Sequence, residues 1–219
     1  MPCNVCNEMY HTMLLEGKIK QIPIAEKFEN CPDCEARTRF KTFRLIYDQQ
    51  VAPRANNKGN LRALVISGTA WEQSIISQNF SSFISSALYG NYGEGTVKSD
   101  MRNLKEFANE HFDYVHACNV LDYIPELNEV LSSVYRVLKP GGMFLFHIAE
   151  FRLTNTDARP IIKGTKREPY YPEGISLPNV LFGKHGVVEC MRKNHYDAKM
   201  YEVNDIFSGE ICTWFLGIK

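Results

Sequence analysis

Over residues 112–151 the hydropathy changes period twice, and the rest of the chain can be counted outward from there. Phe112 to Cys118 forms a short run rich in Tyr, Val and Phe without a polar face, which suits a strand buried on both sides of a parallel sheet. A helical period follows. Pro125 is placed for a first helical position, and Leu127, Val130, Leu131, Val134 and Leu138 recur at three- and four-residue intervals to make one apolar stripe. Pro140-Gly141-Gly142 predicts the helix stop, because proline cannot continue the ladder and glycine accepts a left-handed turn, and 143–149 resumes as strand.

The same reading gives a strand over 61–67, a strand-to-helix turn at Gly68 and a helix over 70–79. Thr69-x-x-Glu72 spells a capping box at that helix start. A second strand is expected at 82–88, helix or helix plus turn over 180–193, and two final strands at 196–204 and 211–219 meeting across Ser208-Gly209 as an edge hairpin. Residues 151–179 are rich in proline and glycine and show no period, so they read as a long loop covering a binding site. Tyr170 and Tyr171 offer flat amphipathic surface within it, or simply pack the loop.

The wording of the central unit is more specific than its period. FDYV at 112–115, with RVLKPGG at 136–142, resembles the fourth and fifth strands of class I S-adenosylmethionine-dependent methyltransferases, of the type 11 kind. The resemblance implies an α/β fold with a Rossmann-like seven-stranded sheet over 61–219. It also implies S-adenosylmethionine bound where the first strand gives way to a helix, at Gly68, Thr69 and Glu72. Asp100 and Met101 stand where the family has an aspartate beside the adenine, and Cys118 and Asn119, at the end of the fourth strand, would face the methionine portion. Read from the residues alone, Gly68 serves any tight turn, Asp100 could cap a helix over 103–111, and Cys118 is a small apolar residue.

Two departures from that family stand out. The first turn has one glycine, no strand acid and a Trp at 71, which would either crowd a bound methionine tail or wall its pocket. After the second strand, where the family has an acid for the ribose hydroxyls, stands YGNYGEG, with Tyr89, Asn91 or Glu94 as substitutes.

Composition narrows the partners. The 219 residues carry 25 Lys and Arg against 25 Asp and Glu, so nothing in net charge favours nucleic acid or an anionic membrane, and no apolar run approaches membrane-spanning length. With no charged-then-apolar leader the default compartment is the cytoplasm, where thiols stay reduced. There the pairs Cys3-x-x-Cys6 and Cys31-x-x-Cys34 read as a tetrahedral thiolate cage for a structural zinc ion, in a module over 1–45 followed by a linker over 46–60. CPDCEARTRF at 31–40 is similar to the second half of a zinc ribbon that precedes some class I methyltransferase domains, and LFGKHGVVECM at 181–191 is similar to a later stretch of the same proteins. Arg37, Arg39, Lys41 and Arg44 read as a solvated helix face ahead of a phosphate-binding strip.

Methyl transfer needs the acceptor held in line and a base for its proton. His147 at the end of the fifth strand, His185 and Glu150 are the candidates. The leading expectation is a methyltransferase acting on a small molecule or a glycan or sugar precursor, the acceptor class being implied by the resemblance. An RNA methyltransferase that docks through its zinc module, and a non-catalytic binding protein that kept the sheet, are the alternatives.

Overall fold

The computed structural model describes residues 38–55, 59–89, 95–151, 160–166, 177–205 and 209–219. They fall into two compact units, drawn from Met1–Asn57 with Tyr201–Trp214 and from Lys58–Met200 with Phe215–Lys219. The four paired cysteines, Cys3, Cys6, Cys31 and Cys34, lie outside the described residues, as do Arg37, Asn91, Glu94, Tyr170 and Tyr171.

Nine strands are described: β1 (Arg62–Ile66), β2 (Ser82–Ala87), β3 (Val97–Lys98), β4 (Phe112–Cys118), β5 (Leu138–Ile148), β6 (Ile161–Lys166), β7 (Leu177–Leu181), β8 (Asp197–Asn204) and β9 (Ile211–Ile218). Seven of them form one sheet in the order β3-β2-β1-β4-β5-β9-β8. The pairs β1 with β2, β1 with β4, β2 with β3 and β4 with β5 are all parallel. The chain builds outward from β1 through β2 to β3, then returns to the other side of β1 with β4. A crevice opens at such a reversal, beyond the carboxyl ends of the strands, because the flanking connections leave in opposite directions.

Parallel strands need covering on both faces, and β4 is buried at every position but Asp113. The apolar stripe of helix α4 (Leu127–Val137) supplies one cover: Val130, Leu131, Val134 and Val137 are fully buried. Each such side chain contributes on the order of 1.5–3 kcal/mol relative to exposure. The helix departs from the sequence reading at both ends. Pro125 lies before the N-cap Glu126, and Leu138 is not helical; it is extended and pairs with Phe112 as the first residue of β5. Proline disfavours helical backbone in its predecessor, Lys139, so the helix must end ahead of it, and Leu138 leaves it for the pairing with Phe112. Pro140-Gly141-Gly142 then sits inside a strand irregularity between the Phe112–Leu138 and Tyr114–Met143 pairs, with Gly141 at φ 75°. Gly142 is needed there because a Cβ would stand 2.8 Å from the Lys139 carbonyl oxygen.

Two further expectations are corrected. Part of the long loop is an antiparallel pair, β6 with β7, so the helix expected over 180–193 begins only at Lys184, as α5 (Lys184–Lys193). The expected linker over 46–60 is helical as far as Ala55. Helix α1 (Thr38–Ile46) runs through a π turn (Tyr47–Val51) into α2 (Ala52–Ala55), with Tyr47 and Val51 fully buried.

Within the smaller unit, Phe43 packs between Tyr47 at 5.5 Å and Trp214 at 5.6 Å between ring centroids. The Trp214 indole donates to Thr42 Oγ1 at 3.0 Å. Lys41 is neither solvated nor available to phosphate: it is buried and its Nζ lies 2.6 Å from Asp205 Oδ2. Arg44 pairs with Asp48 one turn on. No helix among the described residues is long and apolar enough to cross a membrane.

Candidate functional site

The strand β1 ends at Ile66, and Ser67 turns the chain at φ 51°, its amide still donating to the Ser86 carbonyl of β2 at 2.7 Å. Gly68 follows because nothing larger fits: a Cβ there would meet Val65 Cγ1 at 2.2 Å. Helix α3 (Ala70–Ile76) then starts from Thr69, whose amide and hydroxyl donate to Glu72 Oε2 at 2.7 and 2.8 Å. Glu72 turns inward. It is 1% exposed, and its other oxygen lies 3.1 Å from Nε2 of His116 on β4. Burial raises the Glu72 pKa, but the His116 hydrogen bond and charge, with the Thr69 bonds, outweigh it and hold the carboxyl below its ordinary value.

Beyond these strand ends lies a cavity of about 230 Å³. Ile66 and Ser67 contribute from β1, Leu88 and Tyr89 from after β2, and Ser99, Asp100, Met101 and Arg102 from after β3. The connection between β4 and α4 supplies Val120 and the residues from Tyr123 to Glu126, and Leu177 and Pro178 come from β7. The walls are mostly apolar with a few converging polar groups, the usual make-up of a small-molecule site, and the volume is just under the roughly 300–1,000 Å³ common for one.

Of the residues marked from sequence as donor contacts, Asp100 and Met101 line this cavity; Gly68, Thr69, Glu72, Cys118 and Asn119 do not. Asp100 caps no helix, since residues 101–110 form turns. Its carboxylate accepts from the Arg102 amide and guanidinium, bonds that hold its pKa below the ordinary value against the opposing effect of burial. Met101 is buried, with its carbonyl accepting from Ser133 Oγ. Tyr89, a substitute proposed for the missing ribose acid, is a lining residue. Trp71 is 39% exposed and takes no part in the lining, so it neither crowds nor walls the hollow.

The three proton-acceptor candidates are dispersed. His147 stands next to last in β5, buried, with Nδ1 2.5 Å from Asn119 Oδ1, and Asn119 adopts φ 53°. Glu150 is exposed just past β5. His185 opens α5 on a separate depression with Glu189, Arg192 and Lys199. Sequence reasoning missed Asp122, which sits in a 3-10 turn (Leu121–Tyr123) after β4, 5% exposed. Its Oδ1 accepts from the Ala149 amide at 2.7 Å, and Oδ2 is buried with no hydrogen-bond partner. Burial, only partly offset by bonds from the Ala149 and Glu150 backbone, pushes its pKa up to about 6. The available signal was an acid lodged in the apolar run VLDYI.

Residues 76–146, about a third of the chain, match the sequence model of a methyltransferase domain family. The seven-stranded sheet shares its fold with solved S-adenosylmethionine-dependent methyltransferases. An S-adenosylmethionine-dependent methyltransferase of Mesorhizobium loti superposes with a TM-score of 0.51 at 13% identity, covering 74% of this chain and 92% of that one. The PH0226 protein of Pyrococcus horikoshii OT3 gives 0.55 at 16% identity, covering 83% and 92%. In sequence, the chain is similar to a sterol 24-C-methyltransferase of Clavispora lusitaniae, 32% identical over 120 residues, which is 50% of this chain and 29% of that protein. The chain thus spans under a third of that relative's length. In this seven-stranded sheet the cavity occupies the reversal between β1 and β4. Among the described residues no group of three or more His, Cys, Asp or Glu could hold a metal ion.

Proposed function

We propose that the chain binds S-adenosylmethionine in the cavity at the carboxyl ends of β1 to β4 and transfers its methyl group to a small molecule or a glycan or sugar precursor. One observation carries the reading: the cavity opens at the strand-order reversal of a methyltransferase fold, with Asp100 and Met101 in its wall. When bound, the donor supplies an electrophilic methyl on a positively charged sulfur. The protein's own part is to bind and orient. Apolar walls from Ile66, Val120 and Ile124 exclude water from a flat ring, and Asp100 offers an acceptor to a ring amine. The similarity to sterol methyltransferases supports a small-molecule acceptor.

The reading also includes a structural zinc ion held by Cys3, Cys6, Cys31 and Cys34 in a cytoplasmic protein, on the spacing of the two pairs. Four thiolates would close the coordination sphere, giving the ion a role in folding and none in methyl transfer.

Calorimetric titration of the folded, zinc-supplemented full chain with S-adenosylhomocysteine tests the core of this. Saturable heat at micromolar to low millimolar ligand is expected, and none at millimolar concentration overturns it. Metal analysis of the purified chain tests the zinc: about one equivalent, lost on Cys31→Ser, is expected.

A further inference from the structure

The polar end of the cavity is already occupied by the protein itself. Arg102 lies over Asp100 as an internal ligand: its amide and Nε reach Oδ1 at 2.9 and 3.0 Å, and its Nε and Nη2 reach Oδ2 at 3.1 and 2.6 Å. Three N–H groups, with Nε shared between the two oxygens, thus take up most of the four or so lone-pair sites of the carboxylate. While the guanidinium stays where it is, a ring amine entering the cavity meets a carboxylate already bonded at both oxygens.

A neutral N–H donor is a poor competitor for a carboxylate held by a guanidinium, since charge-assisted bonds are roughly twice as strong as neutral ones. Exchange becomes nearly even only if the guanidinium finds a second carboxylate. Glu126, also lining the cavity, is placed to be that group. Its Oε2 lies 3.7 Å from Arg102 Nη1, within ion-pair range but beyond a hydrogen bond. That oxygen is buried and accepts no hydrogen bond, and among the described residues Nη1 donates none. Glu126 is the N-cap residue of α4, yet its side chain does not cap the helix either. A buried acceptor and an unused donor thus face each other across a gap that a small rotation of the Arg102 side chain closes.

We propose that Arg102 holds the nucleoside's place on Asp100 in the empty protein, and that Glu126 receives its guanidinium when an adenine nucleoside enters. The inference rests on the donor-pocket reading above and adds to it a residue that sets how tightly the pocket takes its ligand. Arg102 acts as a competitor, and Glu126 as the positioning residue that relieves the competition.

The test is a double-mutant cycle read by calorimetric titration of the full chain with S-adenosylhomocysteine. The proteins are the wild type, Arg102→Ala, Glu126→Gln and the double variant, each first checked for an unchanged thermal melt. Arg102→Ala is expected to bind about two- to fivefold tighter than wild type, the range for a partly exposed ion pair. Glu126→Gln should bind weaker by a similar factor, and in the Arg102→Ala background it should have no further effect. A weaker Arg102→Ala complex, an unaffected Glu126→Gln protein, or a Glu126 effect that survives without Arg102 each overturns the handover. Heat in the wrong order among the four proteins overturns the handover alone, whereas no heat with any of them overturns the donor pocket and the handover together.

Discussion

His116 on β4 and Glu72 on α3 are joined by a hydrogen bond of 3.1 Å with neither side chain more than 2% exposed, and the pair ties the first strand-to-helix turn to the middle of the sheet. The His116 ring is held on its far side by the Tyr114 hydroxyl, 3.2 Å from Nδ1. The buried polar chain runs Tyr114, His116, Glu72, Thr69 and so ends two residues past Ser67, the turn residue that lines the cavity.

Glu72→Gln should lower unfolding free energy at neutral pH by about 1–3 kcal/mol, the cost of weakening a buried charge-assisted network. A carboxyl whose pKa is lowered on folding gives stability that is present above its unfolded value and lost as pH falls through the folded one. The loss therefore lies below 4.5, the ordinary value. Urea midpoints measured from about pH 7 to about pH 4 and below should fall more steeply for wild type than for the Gln variant.

Asp122 works in the opposite direction. With its pKa pushed up from 3.8 to about 6, the folded state holds a proton that the unfolded chain releases, so this group lowers stability as pH rises through that interval. Asp122→Asn removes the effect. Between about pH 4 and about pH 8 the variant should gain on wild type by about 1–3 kcal/mol in unfolding free energy, checked by melts at both pH values.

Gly68→Ala should destabilise by about 1–3 kcal/mol, because the new Cβ must displace a branched, fully buried Val65. Combining it with Val65→Ala should cost less than the two single changes added together, since the shortened side chain vacates the contested space. Thermal unfolding of the three variants is the check.

In the smaller unit, Lys41→Met leaves the Asp205 carboxylate buried opposite an apolar group. That should cost about 3–5 kcal/mol, read as a shift in the denaturant midpoint. Lys41→Met with Asp205→Leu should recover most of it, since neither charge is then stranded.

Asp100→Ala should weaken S-adenosylhomocysteine by about tenfold, the loss of one well-placed acceptor in a largely apolar cavity, with the thermal melt of the unliganded protein little changed. Paired titrations of wild type and variant decide it.

The parallel core was legible because burial on two sides forces an apolar run. β4 spans the residues that the hydropathy marks, and β1 and β2 lie within a residue of it at each end. What escaped were features held together by distant partners. Leu138 keeps the helical period of α4, yet its pairing with Phe112 makes it strand. β6 begins with two consecutive isoleucines that are both exposed and breaks register between Ile162 and Gly164, so no alternation announces it. At the site, the capping box told that Glu72 bonds Thr69, but the second partner of that carboxylate is 44 residues away, and local spacing cannot encode it. Asp100 was marked by the family resemblance and lines the cavity; Arg102, two residues on, became meaningful only once its side chain was seen folded back over that carboxylate.

The walls of the cavity come from positions as far apart as 66 and 178, no single stretch of chain supplying more than a fraction of them. An extended chain has nothing for such a ligand to recognise, so occupancy and folding become one linked equilibrium. A compound present at a hundred times its dissociation constant would add about 2.7 kcal/mol to the folded state. Its supply would then govern how many copies survive heat or proteases, quite apart from any turnover they perform.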